Sequence, residues 1–285
     1  PAICMLVIGI LQGNRLDWFE SSLICWLLGG GLLLLVLFLC NEWSQPVPFF
    51  KLQMLGIRNL SFALMTLAGV LVVLLAVIII PSSYLAQVQG YRPIQTAPIM
   101  LLMAAPQLIA LPLVAALCNL RWVDCRWVLG IGLSMLALSC IGGSHLTSVW
   151  IRDDFYVLQL LQIFGQPMSV LPLLMLSTGS ISPLEGPYAS AWFNTVKGLS
   201  AVLATGLLET LTTVRLHFHS TMLVDSLGNS PLVSGDSADL ARRLHQQAVV
   251  LTSSDLYLCM AGIALALILL IFWLPTRMYP PRAPT

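Results

Sequence analysis

Seven runs of about 20 mostly apolar residues dominate this chain, and an apolar helix of that length matches the hydrocarbon thickness of a bilayer. They cover residues 22–41, 62–81, 97–117, 127–146, 154–176, 188–212 and 256–275, and residues 1–11 supply part of another. Lipid offers backbone N–H and C=O groups no partners, so runs of this kind satisfy themselves as helices. The fold class expected is therefore an all-α polytopic membrane protein. Composition closes the soluble alternative: only 9% of the residues are charged and the mean hydropathy is +0.90, whereas a soluble domain carries about 25% charged residues. A net charge of +1 gives no electrostatic footprint for nucleic acid, and the lipid bilayer is the partner that composition implies.

The chain opens PAICMLVIGI, without an initiator Met and without a basic segment leading to a cleavage site. These residues read as the tail of a longer apolar segment, so a fragment of a longer protein is expected. The seven cysteines sit in or beside apolar runs with no C-x-x-C pair, and read as small buried hydrophobes; no metal site is expected. The longest polar link runs from Arg215 to Ser254 and is expected outside the membrane. In it Leu240, Leu244, Ala248 and Leu251 recur at helical spacing, predicting a short amphipathic helix capped by Asp236 or Ser237.

Basic residues in the links set orientation. Lys51, Arg58, Arg121, Arg126, Arg277 and Arg282 fall on one side; Arg15, Arg92, Arg152, Arg215, Arg242 and Arg243 fall on the other. The tie is broken by the long link, which holds half of the second set, and by the acids gathered on that side. The first set is placed in the cytoplasm, with the C-terminus, in a cell's inner membrane. Pro106 and Pro112 in one run, and Pro167 and Pro172 in another, each free a backbone carbonyl. They mark either a bending helix beside a pathway or the ordinary tolerance of membrane helices for proline.

Two apolar runs carry polar faces. In the stretch SAWFNTVKGLSAVLATGLLETL, Asn194, Lys197, Thr205, Glu209 and Thr212 share a sector of roughly 120° at 100° per residue. A charge at mid-bilayer facing lipid costs about 2.5–3.5 kcal/mol, so this face is expected to look into a bundle or a watery cavity. Lys197 either snorkels to the inner surface or partners a carboxylate or the transport path; Glu209 is either an interfacial carboxylate or a proton-carrying one. The second run places Tyr156, Gln159, Gln162, Gln166 and Ser169 on one stripe. Three amides in hydrocarbon need partners. They act either as interhelical glue or as the wall of a polar cavity, and their grouping beside Gly165 and Pro167 favours the cavity.

Other signals are weaker. His217 and His219 diverge on a helix and read as an interfacial pair. Arg121, Asp124 and Arg126 form a charged turn between two runs, a topology anchor or an ion-paired latch. The chain has no G-x-S-x-G, P-loop or H-E-x-x-H sequence, and no enzymatic activity is expected.

Four stretches in order, RLDWFESSLI, FFKLQMLGIRNLSFAL, IPSSYLAQVQGYRPIQTAP and GPYASAWFNTVKGLSAVLATGLLETL, resemble the C-terminal part of the 14-helix drug–proton antiporters of the major facilitator superfamily, the EmrB/QacA type. The resemblance implies the major facilitator fold. Residues 1–45 would be the extra central helix pair, the first truncated. Residues 46–285 would be the C-terminal six-helix bundle, with an external loop at 215–254. It implies alternating-access efflux of drugs or other small amphipathic organic compounds, driven by a proton gradient without a cofactor. A narrow-substrate metabolite exporter and a truncated, non-transporting scaffold are the alternatives. The run with the glutamines would be the fourth helix of the bundle, lining the central cavity. In the fifth, Asn194 matches the family's Asn, Lys197 replaces its Arg, and Gly198-Leu199-Ser200 departs from its Gly pair. A lysine keeps the charge and loses the two-pronged hydrogen bond. The family's coupling acid belongs to an N-terminal six-helix bundle that this chain lacks, and its external face can dock a periplasmic adaptor protein.

Overall fold

The computed structural model describes residues 1–45, 50–120, 122–179, 185–228 and 237–272. Arg121, Asp236, Arg277 and Arg282 lie outside the described residues. The chain is an all-helical, multi-pass membrane protein. Its helices are α1 (Ala2–Gly13), α2 (Ser22–Ser44), α3 (Arg58–Gln87), α4 (Pro93–Cys118), α5 (Cys125–Ser144), α6 (Phe155–Gly179), α7 (Gly186–Gly228) and α8 (Ser237–Ile271). Among the described residues seven of them, α2 to α8, are long and apolar enough to cross a bilayer.

Helices α3, α5, α6, α7 and α8 close around one core, with α4 laid against α6. Helix α3 is central. Leu60, Leu67, Val70, Val73, Ala76, Tyr84 and Leu85 are fully buried along it, so it is apolar on nearly every side. Without a hydrophobic drive between helices in lipid, close approach depends on small residues. A Cβ on Gly132 of α5 would stand 2.6 Å from the backbone carbonyl carbon of Met168 on α6, and one on Gly143 would stand 2.7 Å from the ring of Tyr257 on α8. Helix α4 is thinly covered, its buried residues forming a single seam of Thr96, Ile99, Met103, Ala110, Val114 and Cys118. Both α4 and α6 run unbroken through their internal prolines.

The ends of the bundle are tied. On one side the Tyr84 hydroxyl donates to the carbonyls of Thr147 (2.7 Å) and Trp150 (3.3 Å), and Gln89 donates to Ser148 and Trp150. Gln246 reaches Val88 O at 3.2 Å from α8. On the other side Lys51 pairs with Glu185, and Trp192 Nε1 donates to Lys51 O at 3.3 Å. Trp43, Trp122 and Trp127 are exposed at that end and Trp26 at the opposite one, as amphipathic rings are at the two membrane–water boundaries.

The long link differs from its expected form. Helix α7 does not stop near residue 212; it continues to Gly228, and the amphipathic segment is the first part of α8 rather than a separate short helix. Polar residues mark the end of the hydrocarbon, whereas a helix can run on past it where interhelical contacts hold its turns. Leu211, Leu216, Val249 and Val250 pack in the core cluster, and beyond them Asp255 receives His219 Nε2 at 2.8 Å and Arg215 at 3.6 Å. At 43 and 35 residues the two helices are about 65 and 52 Å long, against about 30 Å of hydrocarbon, so they project from the membrane on one side.

Candidate functional site

The stripe on α6 and the stripe on α7 look alike in sequence and are placed differently. Helix α6 carries its glutamines inward. Gln159 is 3% exposed and Gln162 0%. Both amide atoms of Gln162 and Oε1 of Gln159 have no hydrogen-bond partner among the described residues. Ser169 is also buried, its hydroxyl donating to Gly165 O at 2.6 Å. Gln166 is half-buried and paired: Gln107 of α4 donates to its Oε1 at 2.8 Å, and its own amide approaches Met103 Sδ at 3.2 Å. Tyr156 stands apart, at the second position of the helix with the Arg152 guanidinium 5.8 Å over its ring. The three glutamines thus sit in the packed interior between helices.

Helix α7 carries its polar face outward. Ala189, Phe193, Ser200, Ala204 and Leu208 are buried against the bundle. On the far side the helix meets α1: a Cβ on Gly206 would come within 2.6 Å of Ile10, and Asn14 Nδ2 donates to Thr213 Oγ1 at 2.9 Å. Two arcs remain uncovered. One exposes Leu203, Leu207 and Val214; the other exposes Asn194, Lys197 and Glu209, with Thr205 and Thr212 half-buried beside them. At 100° per residue the arcs point in roughly opposite directions. The apolar arc suits lipid. The polar arc does not, because a central lysine in hydrocarbon is costly. Asn194 Nδ2 and the Thr205 and Thr212 hydroxyls donate to carbonyls four residues back on their own helix, which leaves oxygen lone pairs available along this face.

Lys197 and Glu209 lie 12 residues apart, about 18 Å along the axis, so they face the same side without meeting. Asp124 caps α5, accepting from Arg126 N at 3.1 Å. Arg126 Nε and Nη2 are enclosed with no partner among the described residues. His217 is exposed while His219 is held by Asp255. No group of three or more His, Cys, Asp or Glu arranged for a metal occurs among the described residues.

Two features escaped the sequence. Gln107 is a single polar residue in a proline-rich apolar run; the signal was its register, since it continues the buried seam of α4. The second is a cavity of about 40 Å³ between α3, α7 and α8, lined by Ser83, Gln87, Thr212, Thr252 and Ser253 among apolar residues. It has room for only a few waters.

No family model matches this chain. It is 24% identical to the probable multidrug resistance protein EmrY of Escherichia coli (strain K12), over 96% of its own length and 57% of that protein's. The chain thus spans little more than half the length of the curated relative it matches.

Proposed function

We propose that this chain is the C-terminal part of a proton-coupled exporter of small amphipathic organic compounds, working by alternating access from a cell's inner membrane with its C-terminus in the cytoplasm. The observation that carries the reading is the open polar arc of α7. Asn194, Lys197 and Glu209 stand uncovered at membrane depth, opposite an arc that suits lipid. A second six-helix half, earlier in the full-length protein, would face that arc across a watery path, and rocking of the two halves would open the path to either side in turn. The similarity to a probable multidrug resistance protein along almost the whole chain supports this assignment.

In this reading residues 1–45 are the extra central pair and 46–285 the bundle. Gln159, Gln162, Gln166 and Tyr156 flank the substrate path, and Asn194 and Lys197 set its polarity. Large apolar paths with few polar groups suit varied apolar or cationic compounds, and Lys197 extends tolerance to anionic ones. The coupling acid lies in the other half, Glu209 serves the outer boundary, and the projecting ends of α7 and α8 offer a surface to a periplasmic adaptor.

The test uses the full-length protein in cells lacking other exporters. Gln162→Leu and Lys197→Leu are each expected to insert and accumulate normally and to lower efflux of a fluorescent organic cation at least several-fold. Normal accumulation with unchanged efflux in both variants would overturn the path reading, and no efflux from the unaltered full-length protein would favour a non-transporting scaffold.

A further inference from the structure

We propose that Gln107 of α4 is a positioning residue for the glutamine stripe of α6, exchanging its hydrogen bond between Gln166 and Gln162 as the two helices slide past one another. In the present arrangement Gln107 donates to Gln166 at 2.8 Å. One turn away on α6, Gln162 is fully buried with neither amide atom partnered. A buried amide without partners is unfavourable in this state and becomes favourable in any state that supplies one. Gln107, the amide on α4 that now serves Gln166, is the partner that a shifted α4 would bring to Gln162.

The geometry permits the exchange. Gln162 and Gln166 are four residues apart, so they lie about 40° apart around α6 and about 6 Å apart along it. Helices α4 and α6 both start at the same end of the bundle, so they run parallel. Met103, one turn before Gln107, already touches Gln166, which puts Gln166 at a level between the two. A one-turn shift of α4 toward its own start brings Gln107 level with Gln162. One-turn ratchets between packed helices are an established form of two-state motion. Helix α4 is free to make one: its contact with α3 is slight, its buried seam is narrow, and Pro106 and Pro167, beside the two glutamines, each remove a backbone hydrogen bond from their helix. The consequence for transport rests on the reading above. The exchange itself does not, and it is measured on the full-length protein by stability and cross-linking rather than by transport.

The experiment compares melting temperatures of purified variants in one detergent. Gln162→Leu in the wild-type background removes an unpartnered amide and is expected to raise the melting temperature. In a Gln166→Leu background, Gln107 has lost its present partner and turns to Gln162, so the same Gln162→Leu change is expected to lower it. That reversal of sign is the signature of the exchange. An equal rise in both backgrounds would overturn it. If Gln166→Leu does not fold, cross-linking decides. With native cysteines replaced, Gln107→Cys is paired with Gln162→Cys or with Val170→Cys, each four residues from Gln166 in opposite directions. A short bifunctional thiol reagent is expected to join the first pair faster than the second; equal rates would refute the slide.

Discussion

Gly132 and Gly130 sit two residues apart on α5 and separate packing from propensity. Both are helical, so replacing either by alanine gains intrinsic helix stability of about 1 kcal/mol. Their surroundings differ. A Cβ at Gly130 meets only Ile271 Cδ1, at 3.9 Å, an ordinary contact. A Cβ at Gly132 lands 2.6 Å from Met168 C, 2.8 Å from Met168 Cβ and 2.8 Å from Ser169 N. Two of those atoms are backbone, so no side-chain rotation relieves the clash. Restoring an ordinary carbon–carbon separation of about 3.5–4.0 Å requires α6 to retreat from α5 by roughly 1 Å. The same interface holds Leu133, Leu136 and Leu173, all fully buried, and a retreat of that size forfeits a quarter to a half of each contact along the seam. Overpacking of this kind costs about 1–3 kcal/mol. Gly130→Ala should therefore be neutral to about 1 kcal/mol stabilising, and Gly132→Ala destabilising by up to about 2 kcal/mol net of its propensity gain. With roughly 2–4 °C per kcal/mol for a chain of comparable size, the two variants should melt several degrees apart, read by loss of monomeric protein on size exclusion after heating. Equal melting temperatures would refute the close α5–α6 approach on which the placement of the α6 glutamines depends.

Further outcomes follow from other contacts. In the full-length protein Lys197→Arg should keep a larger share of efflux than Lys197→Leu, because the charge on the polar arc persists while its geometry changes; equal losses would assign the role to shape. Asn14→Leu and Thr213→Val should show a coupling of roughly 0.5–1 kcal/mol in a double-mutant cycle of thermal stability, whereas strict additivity would detach α1 from α7. Exchanging Lys51 and Glu185 should be tolerated better than either single reversal, since both single changes set like charges side by side; stability of the three variants at low salt decides it. Tyr84→Phe should speed proteolysis between residues 145 and 154, because that link loses two hydrogen bonds from one hydroxyl.

The number of membrane helices was legible because hydrocarbon thickness writes itself into run length. Helix ends were not, and α7 shows why. Apolar content falls at Thr212, yet Leu216 and Val249 still pack and Asp255 still draws His219 and Arg215 across, so the helix persists in water beyond the last residue that hydropathy supports. Periodicity found both polar stripes, since period is a property of one helix. It did not tell which stripe faces inward, since that depends on neighbours. Gln107 shows the same limit: one amide among apolar residues has no period of its own, and its meaning comes from Gln166 on another helix.

The placement of those two stripes bears on how a bundle of this kind stores and uses polarity. The interior amides of α6 can change partners only if a helix moves, because Gln159 and Gln162 are buried. In the proposed reading the open arc of α7 changes surroundings without any motion inside the bundle, because the half that faces it does the moving. A bundle with only the outer stripe would behave as a rigid wall. A bundle with only the inner one would shift without presenting anything to a substrate. Here the two meet through the bundle core: α6 and α7 both pack on α3, and α4 joins them chiefly through α6. Any sliding of α4 is thus transmitted to the stripe on α6 before it reaches the wall formed by α7. Perturbations at Gln107 should therefore alter the balance of states, while perturbations at Lys197 should alter what each state admits. In the full-length protein that distinction is measurable: leucine at Gln107 should scale efflux of every substrate by a common factor, and leucine at Lys197 should reorder substrates by charge. A reordering by charge from the Gln107 change, or a uniform scaling from the Lys197 change, would break the division of roles between the two stripes.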